Sequence, residues 1–280
     1  MNTVETIQAV RDQVRAWKKE GYTVGLVPTM GYLHEGHASL IRRAREENDK
    51  VVVSIFVNPT QFGENEDLDS YPRDLARDQR LCAQVGADLI FHPEAAEMYQ
   101  NARAYVSITG LSDHLCGKSR PIHFQGVCTV VSKLFHIVSP HRAYFGQKDA
   151  QQLAILRKMV QDLNFDVEVV GCPIVRERDG LAKSSRNTYL SPEERQAALC
   201  LSRAVQAGES MAQKTNDAHT ILAAMRQVIQ AEPLARIDYV ELVDAVTMEP
   251  VDRTDGGILA AVAVYIGKTR LIDNFIWEGR

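Results

Sequence analysis

The most constraining feature of the sequence is an apolar run, VVVSIFV, which begins at residue 51. A half-exposed strand alternates apolar and polar residues, whereas this run leaves no face for water. A second strand-like segment, YTVGLVPT, precedes it, and the helical pattern GHASLIRRAREEN lies between the two. This order predicts a βαβ unit in a parallel sheet that is covered on both faces.

The same alternation continues to about residue 175. Helical patterns at 71–86, 126–138 and 149–163 alternate with strand-like runs at 88–93, 142–146 and 166–175. The chain also opens with apolar residues at helical spacing, namely Val4, Ile7, Val10, Val14 and Trp17. This pattern predicts the α/β class, with a helix followed by a Rossmann-like, doubly wound parallel sheet.

The pattern changes near residue 180. Two helical stretches, at 191–208 and 216–232, are followed by two strand-like runs, at 235–245 and 257–274. Helices followed by paired strands predict a smaller α+β domain. We therefore expect a Rossmann-like nucleotide-binding catalytic domain at 1–180 and a smaller C-terminal α+β domain at 181–280.

Composition narrows the classes of partner. The 280 residues carry 32 basic and 36 acidic side chains, a formal charge of -4, so no global positive field favours nucleic acid or an anionic membrane. The longest apolar runs are shorter than the roughly 20 residues that span a bilayer, and the first helix does not resemble a signal peptide. We expect a cytoplasmic protein whose five cysteines are buried free thiols.

Ligands of an open parallel sheet bind beyond the carboxyl ends of its strands, so the segments that leave the strands are candidate sites. The first such segment, PTMGYLHEGHASL, places Gly36 and His37 at the opening of a helix. Backbone N–H groups and the helix dipole favour a phosphate there, and His34 adds a second imidazole. Two alternatives are a helix-capping histidine pair and, less favoured, a zinc site, which needs further ligands.

The H-x-G-H pattern resembles the signature of nucleotidyltransferases and class I aminoacyl-tRNA synthetases. In that superfamily, a lysine- and serine-rich loop late in the nucleotide domain covers the ATP phosphates. Here the sequence KSSR, Lys183 to Arg186, follows the last predicted parallel strand. A solvated hinge loop is the alternative interpretation of KSSR.

Six segments between about residues 25 and 192 narrow the resemblance: VPTMGYLHEGHASLI, SIFVNPTQFG, YPRDL, RPIHFQGVCTVV, YFGQKDAQQL and LAKSSRNTYLS. Together they resemble the pantothenate synthetase family, the pantoate–β-alanine ligases of coenzyme A biosynthesis. The resemblance implies that ATP and pantoate form pantoyl adenylate and pyrophosphate, and that β-alanine then gives pantothenate and AMP. It also implies a homodimer and a second domain that closes over the active site.

The resemblance further implies roles for individual residues. His37 is the best candidate to stabilise the transition state or donate a proton, Gln61 and Gln152 bind pantoate, and Gln61 also lies near β-alanine. Mg²⁺ accompanies ATP, and Asp149 is the candidate metal contact. The catalytic set is His37, His34, Lys148 and Arg186, and the ATP-binding set is Met30, Gly31, Tyr32, Leu33, His34, Glu35, Gly36, His37, Gly146, Gln147, Lys148, Asp149, Val175, Lys183, Ser184, Ser185 and Arg186.

Several alternatives stay open at this stage. Many family members have methionine at the position of Lys183, so this lysine either contacts phosphate or points into solvent. Asp149 is also suited to cap a helix, and Asn58, Tyr71, His123 and Arg186 are weaker candidates for the pocket. Two other functions compete with the ligase: an adenylyltransferase that keeps the adenylate as its product, and a nucleotide-binding regulator or RNA-binding module without catalysis.

Overall fold

A computed structural model describes residues 1–64 and 66–279, which divide into two compact units. Unit 1 comprises Met1–Ile108, Arg120–Gln147 and Ile155–Pro173. Unit 2 comprises Thr109–Ser119, Lys148–Ala154 and the chain from Ile174 onward. The sequence predicts a single boundary after residue 180, whereas the observed unit 2 also includes two short segments from earlier in the chain.

Unit 1 contains a parallel sheet of six strands: β1 Asn2–Val4, β2 Val24–Thr29, β3 Lys50–Ile55, β4 Leu89–Phe91, β5 Arg142–Gly146 and β6 Glu168–Cys172. Their order in the sheet is β1-β4-β3-β2-β5-β6. After the edge strand β1, the chain adds β2, β3 and β4 toward that edge, and then returns to add β5 and β6 on the other side of β2. The order therefore reverses between β2 and β5, which is where open parallel sheets bind ligands.

Helices connect these strands, and the central strands are buried as the sequence predicts. Val51, Val52 and Val53 of β3 are all fully inaccessible to solvent. Together with the sheet order, this burial confirms the predicted α/β, doubly wound class. In chain order the helices are α1 Ile7–Lys19, α2 Glu35–Glu47, α3 Leu75–Gln84, α4 Ala95–Tyr99, α5 Leu115–Ser119, α6 His123–Val138, α7 Ala150–Asp162, α8 Pro192–Ala197, α9 Leu199–Ala212 and α10 Ala218–Gln230.

Unit 2 contains a three-stranded antiparallel sheet, which confirms the predicted α+β character of the C-terminal part. Its strands are β7 Ala235–Asp244, β8 Ile258–Ile266 and β9 Thr269–Trp277, in sequential order. Apolar side chains of α9 and α10 pack with those of the sheet into one core. All five cysteines of the chain are free and buried, as predicted.

Three local predictions were wrong. Val4 pairs with Phe91 in the edge strand β1 and does not belong to the first helix. That helix begins at Ile7, and its N-cap residue Thr6 accepts a hydrogen bond from the N–H of Ala9. The predicted helix at 191–208 is two helices, α8 and α9. The predicted strand at 257–274 is the hairpin of β8 and β9, because Gly267 adopts a left-handed turn conformation with φ of 56°.

Within the described residues, no helix combines the length and apolar character that crossing a membrane requires.

Candidate active site

The loop after β2, which we call the first loop (residues 30–37), is fixed by hydrogen bonds of its own backbone. Gly31 donates to the Thr29 hydroxyl at 3.2 Å, and the N–H groups of Tyr32 and Leu33 donate to the Asp78 carboxylate at 2.8 and 2.7 Å. Gly31 and Tyr32 both have positive φ values, of 86° and 49°. Asp78, on α3, therefore stabilises a left-handed loop conformation that the backbone disfavours by itself.

Asp78 is 1% exposed, and this burial raises the pKa of its carboxyl. The hydrogen bonds from Leu33 and Tyr32 act in the opposite direction and lower that pKa. The ionised carboxyl suits the site, because a carboxylate accepts hydrogen bonds at both oxygens. Nothing in the sequence singled out Asp78, since a carboxylate in an amphipathic helix is normally solvated.

The two histidines form a reciprocal cap at the start of α2. His34 Nδ1 accepts a hydrogen bond from the Gly36 N–H at 3.1 Å, and His37 Nδ1 accepts one from the His34 N–H at 3.2 Å. The ring centroids are 4.1 Å apart. Because both Nδ1 atoms accept, each neutral ring carries its proton at Nε2.

This arrangement changes which groups of the first loop can bind a phosphate. The sequence predicts that backbone N–H groups bind an anion, but the N–H groups of residues 31–34 and of Gly36 donate to acceptors within the protein. The capping interpretation of the histidines is therefore observed. It is compatible with ligand binding, because capping fixes the two Nε2–H groups as oriented donors.

Gln61 lies in a short 3-10 helix, Pro59–Gln61, that follows β3. Its side chain is enclosed: the Asn58 amide donates to Gln61 Oε1 at 3.1 Å, and Gln61 Nε2 donates to the sulfur of Met30 at 3.0 Å. The sulfur is a weak acceptor, so this amide can exchange it for a substrate oxygen. Two predicted ligand-binding residues, Met30 and Gln61, are thus in contact within unit 1.

The weaker pocket candidates lie around the same turn. Asn58 is 1% exposed, and its side-chain Oδ1 accepts a hydrogen bond from the Tyr99 hydroxyl at 2.7 Å. The His123 ring lies with Nδ1 3.0 Å from the Gln61 carbonyl oxygen. Tyr71 is buried and packs edge-on against Phe62, with 6.0 Å between the ring centroids. Asn58 and His123 therefore contact Gln61 directly, whereas Tyr71 packs against the residue that follows it.

Gly126 of α6 permits this arrangement, although it is not among the predicted site residues. A Cβ atom at this position would lie 2.4 Å from the Thr60 carbonyl oxygen and 2.6 Å from Gln61 Cα. Asn58 also donates to the Gly126 carbonyl oxygen at 3.1 Å. The backbone of α6 thus lies directly against the turn that carries Gln61. A glycine inside an apolar helical pattern is the signal that could have predicted this close approach.

Unit 2 contains Lys148, Asp149, Gln152, Val175 and the KSSR residues, whereas Gly146 and Gln147 belong to unit 1. The Lys148 ammonium lies 3.7 Å from the Asp149 carboxylate, and the Asp149 side chain is 48% exposed. Gln152 is half-buried. Its neighbour Gln151 is buried and donates to the carbonyl oxygens of Leu111 and His114, both at 2.8 Å, which marks Gln151 as structural.

The KSSR sequence lies in a segment that we call the second loop (residues 174–187). The Lys183 N–H donates to the Val175 carbonyl oxygen at 2.9 Å, so these two predicted ATP-binding residues are neighbours across a tight hairpin. Ser184 caps a 3-10 helix, Ser185–Tyr189, by accepting from the Arg186 N–H at 3.2 Å. The Lys183 ammonium lies 3.9 Å from a Glu177 carboxylate oxygen.

Residues 2–276 match the sequence profile of the family described as pantoate-beta-alanine ligase. The chain belongs to this family. The pantothenate synthetase of Enterococcus faecalis is 60% identical to it over 276 residues, which cover 98% of both proteins. That of Clostridium botulinum strain Loch Maree is 56% identical over 280 residues, covering 99% of this chain and all of the relative.

Solved structures of pantoate–β-alanine ligases have the same fold. The pantothenate synthetase from Thermus thermophilus superposes with a TM-score of 0.94, at 48% identity and over 98% of this chain and 99% of the other. The ligase from Francisella tularensis, crystallised with a β,γ-ATP compound and β-alanine, has a TM-score of 0.81 at 32% identity over 99% and 97% of the two chains. These comparisons confirm the predicted family and fold, and they identify the chain as an ATP-dependent ligase that forms the amide bond of pantothenate.

Proposed function

We propose that the ligase activates pantoate at the first loop, with His34 and His37 as the donors that meet the ATP phosphates. The observation that carries this proposal is the reciprocal histidine cap, which orients two Nε2–H groups beyond β2, where the strand order of the sheet reverses. Side-chain donors held by a rigid backbone suit a reaction in which charge develops on phosphate oxygens.

In the first step, a pantoate carboxylate oxygen attacks the α-phosphorus of ATP. A new P–O bond forms, the bond from the α-phosphorus to the bridging oxygen breaks, and pyrophosphate leaves with the bonding electrons. An anion approaches an anion, so the site must neutralise charge and hold the reactants in line. We assign this task to His34, His37, Lys148 and Arg186.

In the second step, the uncharged amine of β-alanine attacks the acyl carbon of pantoyl adenylate. The C–N bond forms, the C–O bond to AMP breaks, and the amine loses a proton. We propose that Gln61 and Gln152 hold pantoate through amides that both donate and accept, and that Gln61 also adjoins the amine. The weak bond from Gln61 to the Met30 sulfur supports this assignment, because a pantoate hydroxyl is a better acceptor.

The remaining ATP contacts are proposed on family resemblance. They comprise the backbone near Val175 and the segments Met30 to His37, Gly146 to Asp149 and Lys183 to Arg186. The pairing of Lys183 with Val175 supports grouping the two in one loop. The contact between Lys183 and Glu177 leaves the ammonium near an acid, so a phosphate would compete with that acid for it.

Mg²⁺ is the metal that we propose to accompany ATP. Among residues 1–64 and 66–279, no group of three or more histidine, cysteine, aspartate or glutamate side chains could hold a metal ion. Mg²⁺ bound to a nucleotide needs only one or two carboxylates, because phosphates and water supply its other ligands. The half-exposed Asp149 carboxylate fits that requirement. When bound, Mg²⁺ would neutralise phosphate charge.

We further propose that the enzyme is a cytoplasmic homodimer whose C-terminal domain, residues 181–280, closes over the active site of the domain at 1–180. The dimer and the closure rest on the family resemblance, and the cytoplasmic location rests on the lack of a signal-like segment in the sequence. Light scattering coupled to gel filtration tests the dimer, and small-angle scattering with and without ATP tests the closure.

The decisive experiment incubates the protein with Mg²⁺-ATP and pantoate, with and without β-alanine, and follows AMP, ADP and pyrophosphate. We expect pyrophosphate release to require pantoate, and AMP release to require β-alanine as well. Hydroxylamine in place of β-alanine should trap the acyl group as a hydroxamate. ADP as the nucleotide product would exclude this mechanism, and a stable adenylate that β-alanine does not consume would indicate an adenylyltransferase.

A further inference from the structure

The last strand of unit 2 contains two adjacent polar residues that are almost completely buried. Asp273 and Asn274 of β9 are 2% and 5% exposed. Buried polar groups are costly unless they are hydrogen-bonded, so their partners indicate why the strand carries them. Asn274 binds the backbone of Lys148, and Asp273 binds Arg176 of the second loop, which also carries the KSSR residues.

Asn274 holds the backbone of Lys148. Its Nδ2 donates to the Lys148 carbonyl oxygen at 2.9 Å, across 126 positions of sequence. A lysine side chain is long and flexible, so the position of its ammonium depends on where its backbone is anchored. Asn274 supplies such an anchor.

Asp273 holds the second loop through Arg176. The guanidinium donates to both carboxylate oxygens, at 2.6 and 2.9 Å, and also to the Gly180 carbonyl oxygen at 3.1 Å. It therefore ties one arm and the turn of the hairpin to β9. The other arm leads directly to Lys183.

A second ion pair in the same sheet provides a comparison. Arg270, also on β9, donates to the Asp238 carboxylate at 2.7 and 3.0 Å, and both side chains are more than four-fifths buried. The Arg270 guanidinium also lies 3.6 Å from the Cys116 sulfur. This pair binds neither of the predicted ATP segments in unit 2, so it represents the purely structural contribution of a buried ion pair in this sheet.

We propose that Asp273 and Asn274 form a positioning pair that sets the two phosphate-contacting segments of unit 2, Lys148 and the second loop. The inference rests on the proposed function, since it gives these segments a role in adenylate formation. A preorganised site loses rate steeply when its groups are displaced by as little as about 1 Å. The pair should matter for the step that involves the triphosphate and much less for the attack of β-alanine on an adenylate already formed.

The test measures the two half-reactions separately in Asp273→Asn, Asn274→Ala and the control Asp238→Asn. Single-turnover pyrophosphate release reports the first step, and conversion of synthetic pantoyl adenylate by β-alanine reports the second. We expect both β9 variants to slow the first step by about 10- to 100-fold, at saturating ATP, and the second step by less than about threefold. Asp238→Asn should lower the melting temperature while changing both rates by less than about threefold.

A milder variant keeps the test informative if Asp273→Asn fails to fold. Arg176→Lys keeps the charge but loses the two-pronged hydrogen bond, so it should slow the first step less than Asp273→Asn does. Equal slowing of both half-reactions, or slowing of the first step by Asp238→Asn to the same degree, would show that the pair is only structural. Absence of pantoate-dependent pyrophosphate release by the unmodified enzyme would instead overturn the proposed function, and this inference with it.

Discussion

The two loops that carry the histidines and the KSSR sequence are fixed in different ways. In the first loop, the backbone N–H groups donate to Asp78 and to the two histidine rings, so the loop is held by acceptors within unit 1. In the second loop, the hairpin is held by the guanidinium of Arg176, which is itself bound to Asp273. The first loop depends on acceptors for its backbone N–H groups, and the second loop depends on the ion pair between Arg176 and Asp273.

The difference indicates what each loop can offer a nucleotide. Most backbone N–H groups of the first loop donate to acceptors within the protein, so we expect its imidazole groups to provide its phosphate contacts. The second loop is held at Arg176 and Gly180, and the KSSR residues follow these two positions in sequence. Changes to the first loop should therefore affect chemistry and local backbone together, whereas changes to the second can separate the two.

The largest expected effect comes from His37→Ala. Loss of a prepositioned donor to developing charge should lower the adenylation rate by about 100- to 1,000-fold. Loss of the cap should also cost about 1 kcal/mol of stability. The matched variant His37→Gln separates the two effects, because glutamine at this helix position can still accept the His34 N–H.

Single-turnover kinetics and thermal unfolding of the two His37 variants provide the measurement. We expect His37→Gln to be as slow as His37→Ala but closer to the unmodified protein in stability. A His37→Gln variant with an unchanged adenylation rate would limit this histidine to capping.

The next effect is that of Asp78→Asn. An amide has one acceptor oxygen, so one of the two N–H groups of the first loop would face an NH₂ group and lose its partner, which costs about 1 to 3 kcal/mol. Displacement of the loop should slow adenylation by about 10- to 100-fold. The control is Asp74→Asn on the same helix: Asp74 accepts a hydrogen bond from the Arg77 N–H, and asparagine caps a helix equally well. Equal adenylation rates in the Asp78→Asn and Asp74→Asn variants would show that Asp78 does not position the first loop for catalysis.

Two glycines sharpen the comparison, since each loop has one with positive φ. Gly31 has a φ of 86°, and a Cβ there would lie 3.0 Å from Ile55 and 3.1 Å from Asp78. Gly180 has a φ of 97°, but its nearest neighbour would be 3.5 Å away. Alanine should therefore cost about 1 kcal/mol of stability at either site, and only Gly31→Ala should also slow adenylation, by about tenfold. Comparable rate losses in both variants would contradict this distinction.

The smallest effect concerns pH. Burial raises the pKa of Asp78 in the first loop, whereas the hydrogen bond from Arg195 lowers the pKa of Asp179 in the second. The contribution of Asp78 to the free energy of unfolding should thus fall as the pH rises above about 4, and that of Asp179 should be lost as the pH falls below about 4. Chemical unfolding at several pH values, with Asp78→Asn and Asp179→Asn as references, should give difference slopes of opposite sign. Difference slopes of the same sign would contradict the opposite directions of the two pKa shifts.

How far the sequence could predict this molecule depends on the range of the interactions. The strands β2 and β3 were predictable because strands buried on both faces consist of apolar runs. The edge strand β1 was not, because its three residues are too few to show a period and Val4 also fits the spacing of the helix that follows. The sequence predicted one strand-like run for the hairpin of β8 and β9, because both of its strands are apolar.

The candidate site divides in the same way. His34, His37 and the KSSR residues belong to contiguous motifs, so they could be named from the sequence. Asp78 and Asn274 act over 45 and 126 positions of sequence, and no local pattern distinguishes them from other polar residues. The residues that hold a site are harder to predict than the residues that form it, because their partners become neighbours only after folding.

The close approach of Gly126 to Thr60 and Gln61 bears on stabilisation of this enzyme by design. A glycine inside a helix is a standard position for a change to alanine, which has the better helix propensity by about 1 kcal/mol. Here the added methyl group would collide with the Thr60 carbonyl oxygen at 2.4 Å, and the turn that carries Gln61 would have to move. A redesign of α6 on propensity alone would thus select the substitution that displaces the proposed pantoate site.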